Sequence, residues 1–430
     1  MMRSMYSGVS GLKVHQTKMD VIGNNIANVN TVAYKGNSVT FSEVFYQTTQ
    51  SASGPNAETG KGGQNAMQIG LGSSVGSITS NIESEGSTQR TDNPFDLKIS
   101  GSSFFVVKNG NSNFFTRAGN FTVDESGKLV TSAGYSVQGW LADEDGNIIK
   151  DNVKDLYVKS TEFTYTEPAA TTDNTISGNL NKEDESFAKG ESIPINLKFY
   201  DSLGYSYLAT INISQSPDNT YSYTMEAGSI MCDGHPVEGY TMNLSDVNLT
   251  FDESTGKCNV NSITASFEVP TGATPIGDIT VDFSNLKSLG DETSISVNYG
   301  NPSGKGAGKA VGKMTGVGIQ QDGKISAYYS NGDVRTLGQI VVANFSNPAG
   351  LEKVGENLYQ ATLNSGEFNG IGDDVTANGG KISSGVLEMS NVDLSSEFTE
   401  MITTQRGFQA NSRIITVSDT LLEELINLKR

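Results

Sequence analysis

Any catalysis by this chain would have to run on very few groups. His15 and His235 are the only histidines in 430 residues, so a general base poised near neutral pH is scarce. A serine or cysteine nucleophile needs such a base, and an orienting group behind it. His15 falls on the exposed flank of a predicted helix, and His235 lies in the turn-like CDGHPVEG. Paired carboxylates could replace histidine, as in glycoside hydrolysis. Here the acidic residues scatter through turns such as DEDGN and KEDES and read as a solvated surface. Cys232 and Cys258 are too few for a disulfide framework and lack metal-ligand spacing. GKGAGKAVGK is not a phosphate loop, because Lys305 is followed by Gly306 and Lys309 by Ala310, where a serine or threonine is required. GLGSSVG, residues 70–76, has its third glycine one position late for a dinucleotide turn and reads as the start of a strand. No catalytic residue, cofactor site or metal set is expected, and the chain does not read as an enzyme.

Composition points the same way. With 48 Gly, 1 Trp and 36% apolar residues, the chain suits many short strands joined by tight turns. A net charge of -19 would repel nucleic acid or an anionic membrane. The excess is concentrated: residues 161–300 carry 20 Asp and Glu against 5 Lys and Arg. There is no apolar run long enough to span a bilayer, and MMRSMYSGVSGLKVHQ lacks the apolar stretch and cleavage site of a secretory signal.

The two ends have a different texture. Met5, Val9, Leu12, Met19, Ile22, Ile26 and Val29 fall on one stripe at coiled-coil spacing, and the asparagine-rich GNNIANVNT signals the end of that helix. At the other end Leu394, Met401, Phe408, Ile415 and Leu422 recur every seven residues, with Phe398 and Leu425 on an adjoining, interrupted row. Asn391 or Asp393 would cap this helix, and Lys429 and Arg430 suit its negative pole. Neither helix alone buries enough surface to offset the entropy of ordering it. The seams must be covered either by each other or by neighbouring subunits, and both readings stand at this point.

Between the helices, alternating runs such as FFVVK, IPINLKFYDSLG, YLATINIS and GQIVVANFSN are separated by turns including 124–127, Asp145-Gly146, Asn331-Gly332 and Asn347-Pro348. The expected fold is mainly β with paired N- and C-terminal α-helices and β domains nested between them. The helical domain comprises residues 1–35 and 389–430, followed by an extended connector over 36–70. The inner β domain takes 71–160 and 313–388, and an acidic outer β domain takes 161–312.

The residues also match a family. MYSGVSGLKVHQTKMDVIGNNIANVNTVAYK (5–35) resembles the N-terminal signature of the bacterial flagellar rod and hook proteins, and residues 383–430 resemble their C-terminal one. TQRTDNPFDLKISGSSFFVV and FFTRAGNFTVDESGKLVTSAGYSVQGW, within 88–140, look like the family's inner β domain. The length, the large middle segment and residues 332–362 resemble the hook branch, with the distal rod subunit as the alternative inside the family.

The resemblance implies a structural subunit that self-assembles into a hollow curved tube, a universal joint carrying torque from rod to filament during swimming. The tube would form through the terminal seams. It implies export through the flagellar type III apparatus without a cleaved signal, and localisation in the extracellular hook attached to the basal body. Partners would be other copies of the chain, the rod, the hook cap, the hook–filament junction proteins and the export apparatus, with no nucleic acid and no membrane insertion. Phe41 and Phe45 match the family's export pattern. A secreted β-rich adhesin is the reading from a different class, and paired heptads at both ends argue against it.

Overall fold

The computed structural model describes residues 2–55, 60, 62–143, 146–216 and 221–428; Asp145, Lys429 and Arg430 of the features above lie outside them. The chain is mainly β, with one long helix at each end, and it divides into two compact units. The first gathers Met1–Ser160, Val317–Ala327 and Arg335–Arg430; the second gathers Thr161–Gly316 and Tyr328–Val334.

In the first unit the N-terminal helix, Met2–Ala27, runs alongside the C-terminal helix, Leu394–Asn427. Asp393 caps the latter by accepting a hydrogen bond from the Ser395 N–H. Asn391 does other work: its Oδ1 accepts from the Gly36 N–H, and its Nδ2 donates to the carbonyls of Asn81 and Ser84.

Residues 36–70, expected as a plain connector, instead enter a two-tier β-ribbon. Asn37–Glu43 pairs antiparallel with Ser73–Ser80, and Tyr46–Gln50 pairs with Met67–Gly70. Hydroxyl pairs line one face of the lower tier: Ser38 with Thr79, Thr40 with Ser77 and Ser42 with Ser74. The ribbon is therefore held largely by backbone ladders and polar cross-strand pairs, which a search for apolar alternation does not register.

The β body of this unit interleaves outgoing and returning chain. Phe104–Asn109 pairs with Ser112–Thr116, with Ser136–Leu141 and with the returning Val342–Ala343. Lys381–Ser384 pairs with Leu97–Ser100, and Val386–Glu388 with Thr88–Arg90. Phe104, Val106, Phe115, Trp140, Val341 and Tyr359 share one core, and the Trp140 indole N–H donates to the Ile371 carbonyl.

The second unit is a sandwich. One sheet orders Thr241–Leu244, Ser262–Glu268, Ile279–Lys287, Asp173–Asn179 and Ser294–Tyr299; the other is built on Ile193–Tyr200, Ser206–Gln215 and Ser222–Cys232. Strand Ser206–Gln215 buries every second residue, and Leu197, Phe199, Ile211, Tyr223, Val281 and Phe283 meet in a single core. Cys232 and Cys258 are free thiols, and burial raises the pKa of each.

Candidate assembly surface

The two helices meet through a mixed seam, in which small and polar residues stand beside apolar ones: a Cβ on Gly8 would lie 3.3 Å from Cγ1 of Ile415, a member of the apolar heptad. On the N-terminal helix the buried positions are Gly8, Gly11, Val14, Ile22 and Asn25; on the C-terminal helix they are Thr404 and Ser418. Gly11 lies so close to Asn411 that a Cβ there would sit 2.7 Å from the amide, and a Cβ on Gly407 would sit 2.6 Å from the His15 ring. Lys18 pairs with Glu400 at 3.0 Å, and Asn25 donates to Glu397 at 2.9 Å. Glu397, Thr404, Asn411 and Ser418 themselves recur every seven residues, three positions after the apolar series, and this row shares the covered face of the helix with Met401, Phe408, Ile415 and Leu422.

Most of the predicted seam residues are only partly covered by the contact. Met401, Phe408, Ile415 and Leu422 are half-buried, as are Met5, Leu12, Met19, Ile26 and Val29; Ile22 is buried. Val9, Leu394, Phe398 and Leu425 are exposed, together with Met2, Tyr6, Ile402, Ile414, Val417, Leu421 and Ile426, which the heptad reading did not single out. Apolar side chains thus stand open along both helices, beside a contact that combines Val14, Ile22 and Ile415 with small and polar groups. Patches of this extent on a folded chain mark contact surfaces.

His15 also departs from expectation. It lies in the helix contact against Gly407, not on a free flank, and its ring meets Phe41 edge-on with centroids 5.8 Å apart. Burial, aided by the Lys18 ammonium, holds its pKa below the usual value near 6.5. Protonation therefore opposes the contact. The stabilisation is present above about pH 6.5 and is lost as pH falls through the lower folded-state pKa. The other ionisable groups here are Glu400, paired to Lys18, and Glu397, whose pKa burial raises. The protection of amides over residues 8–25, taken relative to the intrinsic exchange rate at each pH, is expected to fall between about pH 7.5 and 5.5 in the free chain, and His15→Gln should flatten that response. An unchanged pH response in the variant would move its origin to Glu397.

Phe41 and Phe45, which match the family's export pattern in the sequence, lie on and just beyond the lower tier of the ribbon; both are exposed, Phe45 at 77%. His235 occupies a two-residue bridge strand and is exposed, as a turn residue would be. Among the described residues, no group of three or more His, Cys, Asp or Glu is placed to hold a metal.

Paired terminal helices that leave apolar side chains open present the kind of surface a neighbouring molecule covers. Three family models match in order. They are Flagella basal body rod protein over residues 5–35, Flagellar hook protein FlgE/F/G D1 domain over 98–178, and Flagellar basal body rod FlgEFG protein C-terminal over 383–428. The chain is 38% identical to the flagellar hook protein FlgE of Borreliella burgdorferi and 36% identical to that of Treponema pallidum, in each case over the whole of both chains. It is 32% identical to the flagellar basal-body rod protein FlgG of Bacillus subtilis, again over the whole of both. The chain belongs to the flagellar hook and basal-body rod protein family.

Proposed function

We infer that this chain is the structural subunit of a bacterial flagellar hook, polymerising with copies of itself into a hollow curved tube that passes torque from rod to filament. The open apolar flanks of the paired terminal helices carry the reading: neighbouring subunits supply the cover that the chain does not supply itself. The interface comprises Met5, Val9, Leu12, Met19, Ile22, Ile26 and Val29 with Leu394, Phe398, Met401, Phe408, Ile415, Leu422 and Leu425. The rod, the hook cap, the junction proteins and the export apparatus are the other partners, and Phe41 and Phe45 serve export without a cleaved signal. Among the described residues no helix is long and apolar enough to cross a membrane. Electron microscopy of concentrated purified protein tests the reading: short hollow curved tubes are expected. Straight tubes would favour the distal rod, a reading that the full-length match to the rod protein keeps in view, and monomers at every concentration would overturn both.

The second unit faces solvent in this polymer, since its 20 acidic and 5 basic residues over 161–300 would repel at close packing. Its outgoing and returning strands run side by side at the Ala169–Lys309 bridge, with backbone hydrogen bonds of 3.1 and 2.8 Å. Residues 170–308 are therefore replaceable by a short turn. The shortened chain is expected to fold and still build tubes of altered curvature in micrographs; failure to polymerise would place this unit in the essential contacts.

A further inference from the structure

The route from either terminal helix into the β body passes a buried cluster of charges. Lys35, eight residues past the N-terminal helix, donates from Nζ to Oε1 of Glu388 at 2.8 Å and to the Ser84 carbonyl at 2.6 Å. Glu388 closes the last β-strand before the C-terminal helix. Arg117, from the β body, places Nη1 3.8 Å from Glu388 Oε2 and its guanidinium over the Phe104 ring. All three side chains are fully buried. Glu388 Oε1 also accepts from the Gly86 N–H at 3.0 Å, and the Glu388 carbonyl accepts from the Ala33 N–H at 2.8 Å. Ala33 adopts a left-handed backbone, φ 56°, a conformation that costs energy for a residue with a Cβ.

Buried ion pairs are a poor source of net stability, because desolvation consumes most of their attraction. They do make partial assembly costly. With Glu388 in place and Lys35 absent, carboxylate and guanidinium balance. With Lys35 in place and Glu388 absent, two cations face each other with only the partly exposed Glu85 carboxylate, itself paired to Lys98, as a counter-charge.

We propose that this cluster is a two-ended latch: it locks the helix pair onto the β body, and it closes only when the segments from both ends of the chain, 353 residues apart, have docked. The C-terminal segment seats first, and Lys35 follows it. The latch rests on the buried charges of this chain alone; its mechanical consequence, a stiff joint that leaves bending to the contacts between subunits, rests on the hook reading.

Amide exchange on the full-length monomer tests it. Glu388→Gln, nearly isosteric, is expected to speed exchange at residues 31–37 by about 100-fold or more, although the substitution lies at the other end of the chain. Lys35→Met should speed exchange at residues 386–391 by a smaller factor, since Glu388 keeps Arg117. A role in packing alone ranks the two variants the other way, because Glu388→Gln removes almost no volume. Should Glu388→Gln unfold the β body, Lys35→Met/Arg117→Met/Glu388→Leu, with no charge left to orphan, is expected to restore protection in Phe104–Asn109. The reversed ranking, no effect across the two ends, or failure of the triple variant to restore that strand would each overturn the latch. The hook reading fails separately, by the absence of tubes from unaltered protein.

Discussion

Phe398→Asp/Ile402→Asp is expected to yield a soluble, folded monomer that builds no tube. Both side chains lie on the C-terminal helix away from the N-terminal one, 50% and 59% exposed, so the free chain loses little when they change. In a polymer that covers them, each contributes about 1.5–3 kcal/mol, and each aspartate must also be desolvated. The loss recurs in every subunit, so the critical concentration rises by about 100-fold to 10⁴-fold. Sedimentation against concentration, with circular dichroism on the supernatant, reads both halves of the prediction. Normal tubes would remove this face from the interface; a disordered monomer would mean that the residues serve the chain's own fold. Phe408, at the centre of the apolar heptad, is a weaker probe, because the chain already half covers it and its truncation mixes internal and external losses.

That contrast marks what hydropathy can and cannot reveal. The terminal helices are legible because Leu394, Met401, Phe408, Ile415 and Leu422 stand at a fixed interval, and the strands of the second unit are legible, though not their packing into a sandwich, because runs such as Tyr207, Ala209, Ile211 and Ile213 place apolar residues at every second position. The contact between the helices is only partly legible, since Ile22 and Ile415 belong to the apolar seams whereas Gly8, Gly11, Thr404, Gly407, Asn411 and Ser418 carry almost no apolar signal. A seven-residue repeat of small and polar residues, sought alongside the apolar one, would have found half of it. The ribbon is hidden for a related reason: its cross-strand partners are hydroxyls such as Thr40 and Ser77, and SASGPNAETGKGGQNA has the composition of a linker. Lys35, Arg117 and Glu388 are the extreme case. Charged residues are read as surface by default, and only their pairing partners, hundreds of residues away, make burial tolerable.

Glycine is equally silent in sequence, yet one position carries a large effect. Gly86 is buried where the chain passes between the Glu388 carboxylate, which accepts from its N–H at 3.0 Å, and the Lys98 ammonium, which donates to its carbonyl at 3.2 Å. Its backbone lies against that of Met389, and a Cβ there would overlap the Met389 carbonyl oxygen. That carbonyl cannot swing aside cheaply, because the Met389 N–H donates to Ser87 at 2.8 Å and the adjoining strands hold the register Thr88 to Glu388. Gly86→Ala must therefore push the two backbones apart and loosen the contacts around Glu388, which costs about 3 kcal/mol or more. Gly23 supplies the opposite case with the same substitution. It lies inside the N-terminal helix with nothing within 4 Å of the added methyl, so Gly23→Ala should stabilise that helix by about 0.5–1 kcal/mol through backbone entropy. Urea titration of the two monomers, read by β-sheet signal for Gly86→Ala and by exchange in residues 15–27 for Gly23→Ala, is expected to move in opposite directions. A Gly86→Ala chain as stable as the original would mean that the segments around residues 86 and 389 do not approach so closely, and with that the enclosure of Glu388 would be lost.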